Sequence, residues 1–141
     1  MDQEQKQKIL DFMRRQPLMT ISTIHTDGRP QSAVVGFAEK ESLEIIFGTS
    51  NTTRKYQNIA NNPNVACVIG WDPKEPITVQ YEGMARELSD EEAQTEGEIL
   101  IKKNPFAARF RGDPLHRYFT VTPRWIRYFD LKNGKIFEIQ L

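Results

Sequence analysis

The chain has 141 residues, 38% of them hydrophobic, with nineteen basic and nineteen acidic side chains and a formal net charge of zero. That length suits one domain, expected over residues 1–141, which can build a core without disulfide or metal staples. The balanced charge excludes the global positive field that draws a protein to nucleic acid or to an anionic membrane surface, so any anion site must be local.

Met1 to Lys8 is polar and no apolar segment of signal or membrane length follows it, which predicts neither a leader nor a span and points to the cytoplasm. Ile9, Leu10, Phe12 and Met13 share one side of a 3.6-residue period, predicting an amphipathic helix that stops before Pro17 and covers a sheet. From Leu18 to His25, Met19 and Ile21 alternate with threonine and serine; Asp27-Gly28 then turns into a strand from Gln31 to Ala38, making a hairpin. Leu43 to Phe47 is a third strand. It runs through Gly48 to Thr53 into a helix ending near Asn61, before Asn62-Pro63.

Val65 to Trp71 is a continuous apolar run that predicts a buried strand. Cys67, the single cysteine, lies inside it; an intrachain disulfide is excluded, and with no cation beside it the thiol reads as an inert core side chain. A strand from Ile77 to Leu88 follows, in which Gly83 marks a bulge or a close backbone approach. Ser89 before Asp90, Glu91 and Glu92 is a capping box opening a helix to about Lys103. After an irregular stretch from Asn104 to His116, Tyr118 to Asp130 resumes strand chemistry, and Asn133-Gly134 is a two-residue hairpin signal before Ile136 to Leu141.

About seven strands with three helices between them lack the strict alternation of a doubly wound parallel sheet. The expected class is mainly β (α+β), an antiparallel barrel with covering helices.

The chemistry concentrates at Thr49-Ser50-Asn51-Thr52-Thr53-Arg54-Lys55, where two cations occupy the first turn of a helix. A helix start carries roughly half a positive charge, so cations there cost a few tenths of a kcal/mol. A phosphate resolves the conflict by accepting from the free amides, from Thr53 and from both side chains. The alternative, which the residues alone leave open, is that Arg54 and Lys55 simply point into water.

The chain resembles the pyridoxamine 5′-phosphate oxidase-like family of FMN-binding split barrels over nearly its whole length. The matching pieces, in order, are Ile21-Ser22-Thr23-Ile24, Asp27-Gly28-Arg29-Pro30-Gln31-Ser32, Val34-Val35-Gly36-Phe37, Ile46-Phe47-Gly48-Thr49-Ser50, Thr53-Arg54-Lys55, Asn62-Pro63-Asn64-Val65, and Glu82-Gly83 before Leu88-Ser89. The resemblance implies that Thr53, Arg54 and Lys55 hold the FMN phosphate and that Thr49 and Ser50 touch the ribityl chain or phosphate. It also lays the strand through Ala33 to Gly36 along the isoalloxazine ring, with Ser32, Ala33, Val34 and Val35 as candidate contacts. It further implies a homodimer with flavin between the subunits and an FMN-dependent oxidoreductase acting on an unidentified small molecule, with no catalytic residue assigned.

Departures accompany the match. Ala33 stands where many members have arginine, Thr78 stands where the full oxidases have glutamine, and Thr122 to Arg127 does not reproduce their substrate-phosphate motif. A non-catalytic flavin-binding or stress-associated module is therefore the alternative. A deazaflavin-dependent reductase is another, and a haem-type ligand ranks below both because no histidine stands where an axial ligand is needed.

Seven cations between Lys102 and Arg127 face only Asp113, while seven carboxylates between Glu82 and Glu98 face only Arg86. Either the blocks neutralise one another within the monomer or across a dimer, or arginines such as Arg109 and Arg111 line an entrance for an anionic substrate. His25 and His116 lack partners at metal-ligand spacing, so no metal is expected. Trp125 and Tyr128 are three apart in a strand, hence on opposite faces, and either caps a flavin ring or packs the core.

Overall fold

A computed structural model of the protein describes residues 2–141. The chain opens with α1 (Gln3–Arg14), capped by Asp2, whose carboxylate accepts from the amides of Glu4 at 2.8 Å and Gln5 at 3.2 Å. Its apolar side buries Ile9, Leu10, Phe12 and Met13. Then come β1 (Leu18–Ile24), β2 (Pro30–Gly36), β3 (Ala38–Glu39), β4 (Ile45–Ser50), α2 (Arg54–Asn61), β5 (Asn64–Ile69) and β6 (Ile77–Glu87). The chain continues with α3 (Asp90–Lys103), a short 3-10 helix (Pro105–Phe110), β7 (His116–Asp130) and β8 (Lys135–Gln140).

Every strand pairing is antiparallel, and the order across the single sheet is β2-β1-β5-β6-β7-β4-β3, with β8 beside β7. β7 pairs β4 along its first half and β8 along its second, while β6 accompanies it on the other side. β2 and β4 come close without pairing, so the sheet curls into a split barrel. Inward residues including Met19, Ile21, Phe47, Val79, Tyr81, Val121 and Ile126 fill it, and α1 closes over them. The Tyr81 hydroxyl donates to the carbonyls of Leu43 at 2.8 Å and Val121 at 3.1 Å, which satisfies the polar tip of a fully buried ring. Cys67 is buried, and burial pushes its thiol up to about 12.

The structure corrects several boundaries. Among the described residues there are eight strands where about seven were expected, because the run Gln31 to Ala38 breaks at Phe37, whose side chain enters the core; Ala38 and Glu39 become a separate strand on β4. The segment Val65 to Trp71 is buried on one face only and ends at Ile69. Gly70 stops it: at φ 86° a Cβ would lie 2.3 Å from the Ile77 carbonyl oxygen. At Gly83 the register shifts and a Cβ would meet the Thr122 carbonyl at 2.3 Å, so bulge and close approach occur together. β7 begins two residues early, at His116. The last hairpin has a loop over 131–134 rather than a two-residue turn, since the Asp130 carboxylate accepts from the Asn133 amide at 3.0 Å and its Nδ2 at 2.9 Å. Among the described residues no helix is long and apolar enough to cross a membrane.

Candidate functional site

α2 starts where β4 leaves the sheet at the split. Thr53 is its N-cap: Oγ1 accepts from the Tyr56 amide at 3.4 Å, donates to the Ser50 carbonyl at 2.9 Å and lies 3.0 Å from Thr49 Oγ1. Ser50 Oγ and Thr52 Oγ1 pair at 2.8 Å. These hydroxyls hold the turn in shape. What the first turn leaves free for a ligand is the Arg54 and Lys55 amides, which have no intrahelical acceptor, and the two cationic side chains.

The helix is fixed at two further points. Asn58, 2% exposed, donates from Nδ2 to Thr23 Oγ1 at 2.9 Å and to Gln31 Oε1 at 2.8 Å, which ties α2 to β1 and β2. The Tyr56 hydroxyl donates to Glu87 Oε1 at 2.6 Å, and that bond is the main reason its ionisation is pushed upward. Arg117 in turn donates to Glu87 Oε2 at 2.8 Å and Asp90 Oδ1 at 2.9 Å.

Two adjoining clefts open between α2 and the strand pair. The smaller, about 170 Å³, is lined by Ile21, Thr23, Gln31, Ser32, Ala33, Arg54 and Lys55. The larger, about 420 Å³, adds His25, Arg29, Thr52, Thr53, Gln57 and Asn58, and shares Gln31 and Arg54 with the first. Arg54 is exposed, whereas Lys55 is half-buried, and burial lowers its affinity for a proton. Among the described residues neither cation has a carboxylate within ion-pair distance. Elsewhere partly buried cations are matched, as in Lys103 with Glu39 at 2.5 Å and Lys40 with Glu96 at 2.8 Å. A half-buried cation without a counter-charge is unfavourable unless an anion visits.

Of the candidate residues, the structure brings Ser32, Ala33, Arg54 and Lys55 together in the smaller cleft and places Thr53 at the larger one. Thr49 is buried behind the cap and Ser50 is engaged within the turn. Val35 belongs to the core, while Val34 points outward at 66% exposure. Thr23 and Gln31 stood within the matching motifs without an assigned role, and Asn58 carried no signal at all, because their bonds join residues 27 and 35 positions apart.

The opposed charge blocks meet within one chain. Arg111 grips Glu98 through two bonds at 2.9 and 2.7 Å, Arg117 takes Glu87 and Asp90, and Arg86 takes Glu92 twice at 3.0 Å. Arg109 stacks on Phe106 at 3.4 Å. Trp125 and Tyr128 do face opposite ways: Tyr128 is core, stacked on Phe137 at 5.0 Å, while Trp125 lies on the outer face. Among the described residues no group of three or more histidine, cysteine or carboxylate side chains stands placed to hold a metal ion.

Residues 5–130 match the family described as pyridoxamine 5′-phosphate oxidase. The chain is 32% identical over 75 residues to the pyridoxine/pyridoxamine 5′-phosphate oxidase of Burkholderia mallei, a stretch covering 53% of this chain and 35% of that protein. It is 36% identical over 70 residues to general stress protein 26 of Bacillus subtilis, covering 50% of this chain and 49% of the relative. The chain thus spans less than half the length of either relative. Its fold is similar to the crystal structure of general stress protein 26 from Bacillus anthracis, with a TM-score of 0.78 and 23% identity over 98% of this chain and 99% of the other.

Proposed function

The chain belongs to the pyridoxamine 5′-phosphate oxidase family, and from that membership we propose that it binds FMN and acts as a flavin-dependent oxidoreductase on a small molecule. The observation that carries the proposal is the half-buried, unpaired Lys55 beside Arg54 at the start of α2. A phosphate monoester fits that environment, since it supplies the missing charge and accepts from the free first-turn amides. Arg54 and Lys55 hold the phosphate; Thr49, Ser50 and Thr53 keep the turn in the shape that aims them. β2 pairs only with β1, so the backbone groups on its other edge, along Ser32 to Val35, are open to a planar ring. When bound, the isoalloxazine supplies the redox chemistry, and the protein contributes position and hydrogen bonds.

One chain does not enclose such a ligand. The cleft beside Ser32 and Ala33, where the ring would lie, is about 170 Å³ and falls below the roughly 300 to 1,000 Å³ of ordinary small-molecule pockets, although the adjoining cleft beside Thr53 reaches about 420 Å³. A second copy packed against β2 completes the wall, and the cytoplasmic homodimer is part of the proposal. Purified protein is expected to carry or take up FMN, seen as flavin absorbance and quenched FMN fluorescence on titration; protein that stays colourless and leaves added FMN fluorescent refutes it.

A second reading, a flavin-binding stress-associated module without turnover, is favoured by the fold match to general stress protein 26 over nearly the full length of both chains. Steady consumption of NAD(P)H by the flavin-loaded protein counts against it. A preference for a deazaflavin over FMN in the same titration would instead indicate a deazaflavin-dependent reductase.

A further inference from the structure

We propose that Gln31 contacts the cofactor's phosphate through its side-chain amide, held in register by Asn58; the proposal rests on the flavin reading above. Asn58 is buried, and its Nδ2 reaches Gln31 Oε1 at 2.8 Å. A carboxamide has one acceptor end and one donor end, so accepting from Asn58 turns the two Nε2 protons of Gln31 away from it. Gln31 and Arg54 line both clefts, so the Gln31 side chain stands where the two clefts meet and shares their lining with the cations of α2.

The rest of that wall offers little to an anion. Ile21 and Ala33 bring no polar side chain, Ser32 Oγ pairs with Ser22 Oγ at 2.7 Å, and the Thr23 hydroxyl, which receives the other Asn58 proton, is withdrawn from the cleft at 2% exposure. Among the described residues the Gln31 amide protons have no acceptor. An uncharged donor suits this place. A third cation opposite Arg54 and Lys55 would add repulsion in the free protein, whereas an amide adds donors to a dianion without adding charge. Asn58 sits one turn beyond Lys55 on α2, so one side chain sets the spacing between the helix that carries the cations and the strand that carries the amide.

The test is a pair of titrations, FMN and riboflavin, on the wild type, Gln31→Ala and Gln31→Glu. Gln31→Glu keeps an acceptor for Asn58 but puts a carboxylate oxygen where the donors were, so it stays folded by circular dichroism while opposing a phosphate. Losing one hydrogen bond to a charged group corresponds to about tenfold in affinity, so Gln31→Ala is expected to weaken FMN by about that factor and Gln31→Glu by more, with riboflavin held within about twofold. Unchanged FMN affinity in both variants overturns the assignment. So does a parallel loss for riboflavin, which would put Gln31 against the ring or ribityl chain. Wild-type protein that takes up neither ligand overturns the flavin reading itself, and wild-type protein that binds both equally removes the phosphate from the site.

Discussion

Lys55 reports on the site through its proton. Burial holds its folded-state affinity for a proton below the ordinary lysine value of 10.5, so over part of the alkaline range the unfolded chain binds more protons than the folded one. Stability of the ligand-free protein therefore rises as pH climbs through the depressed value, because an unfavourable buried charge is being discharged. A bound phosphate reverses the preference by favouring the charged lysine, so FMN affinity is expected to fall as pH rises through the same window. Lys55→Met should flatten both profiles, which a fluorescence titration and a thermal melt at each pH will register. At neutral pH, replacing Arg54 and Lys55 together by alanine is expected to weaken FMN by about 3 kcal/mol or more, taking about 1.5 to 3 kcal/mol for each charge-assisted contact. An isothermal titration in which the double variant matches the wild type would place the phosphate elsewhere.

The helices show which parts of the architecture local chemistry dictates. The α3 capping box was legible in four consecutive residues, because Ser89 Oγ accepts from the Glu92 amide at 3.1 Å and Glu92 Oε1 from the Ser89 amide at 3.0 Å. The Arg86 guanidinium, and after it the Ser89 amide, hold the Glu92 carboxyl down to about 2, so the contribution of the box persists above the unfolded value of 4.5 and is lost as pH falls toward about 2. Ser89→Ala is expected to lower stability by about 1 kcal/mol, seen as a lower urea midpoint with an unchanged slope. The anchoring of α2 was not legible, since a buried asparagine in the helical stretch looks like any polar residue until Thr23 and Gln31 arrive from distant strands. Nor was the one-sided burial of β5: the pattern of Val65 to Ile69 is apolar on both faces, and only the curl of the sheet decides that Val65, Cys67 and Ile69 face in while Ala66 and Val68 face out. The turn at Thr53 to Lys55 stood out for the opposite reason, because two cations at a helix start conflict with the local dipole and invite a partner from outside.

At the scale of the whole molecule that outward face bears on the assembly. Thr20 pairs with Val34 on one side and Val68 on the other, which sets two exposed valines, 66% and 39% accessible, in a row across β2, β1 and β5. Leu18, on the same face of β1, and Met84 on β6 are also exposed. Apolar residues gathered on one sheet face are costly in a monomer and ordinary in an interface, and a stable one removes about 1,200 to 2,000 Å² from water. Val34 and Ala33 are neighbours on β2 with side chains on opposite faces, so the strand that lines the cleft also presents the apolar row. On the proposed reading, a dimer closing there would enclose the flavin in the same event, and a ligand that binds only the dimer would strengthen it by mass action. Arginine at both positions 34 and 68 is accordingly expected to yield a monomer by light scattering and to weaken FMN although Arg54 and Lys55 are untouched, whereas the Arg54 and Lys55 alanine variant should lose FMN and still dimerise at high concentration. A monomeric variant that binds FMN as tightly as the wild type would separate the two events and confine the cofactor to a single chain.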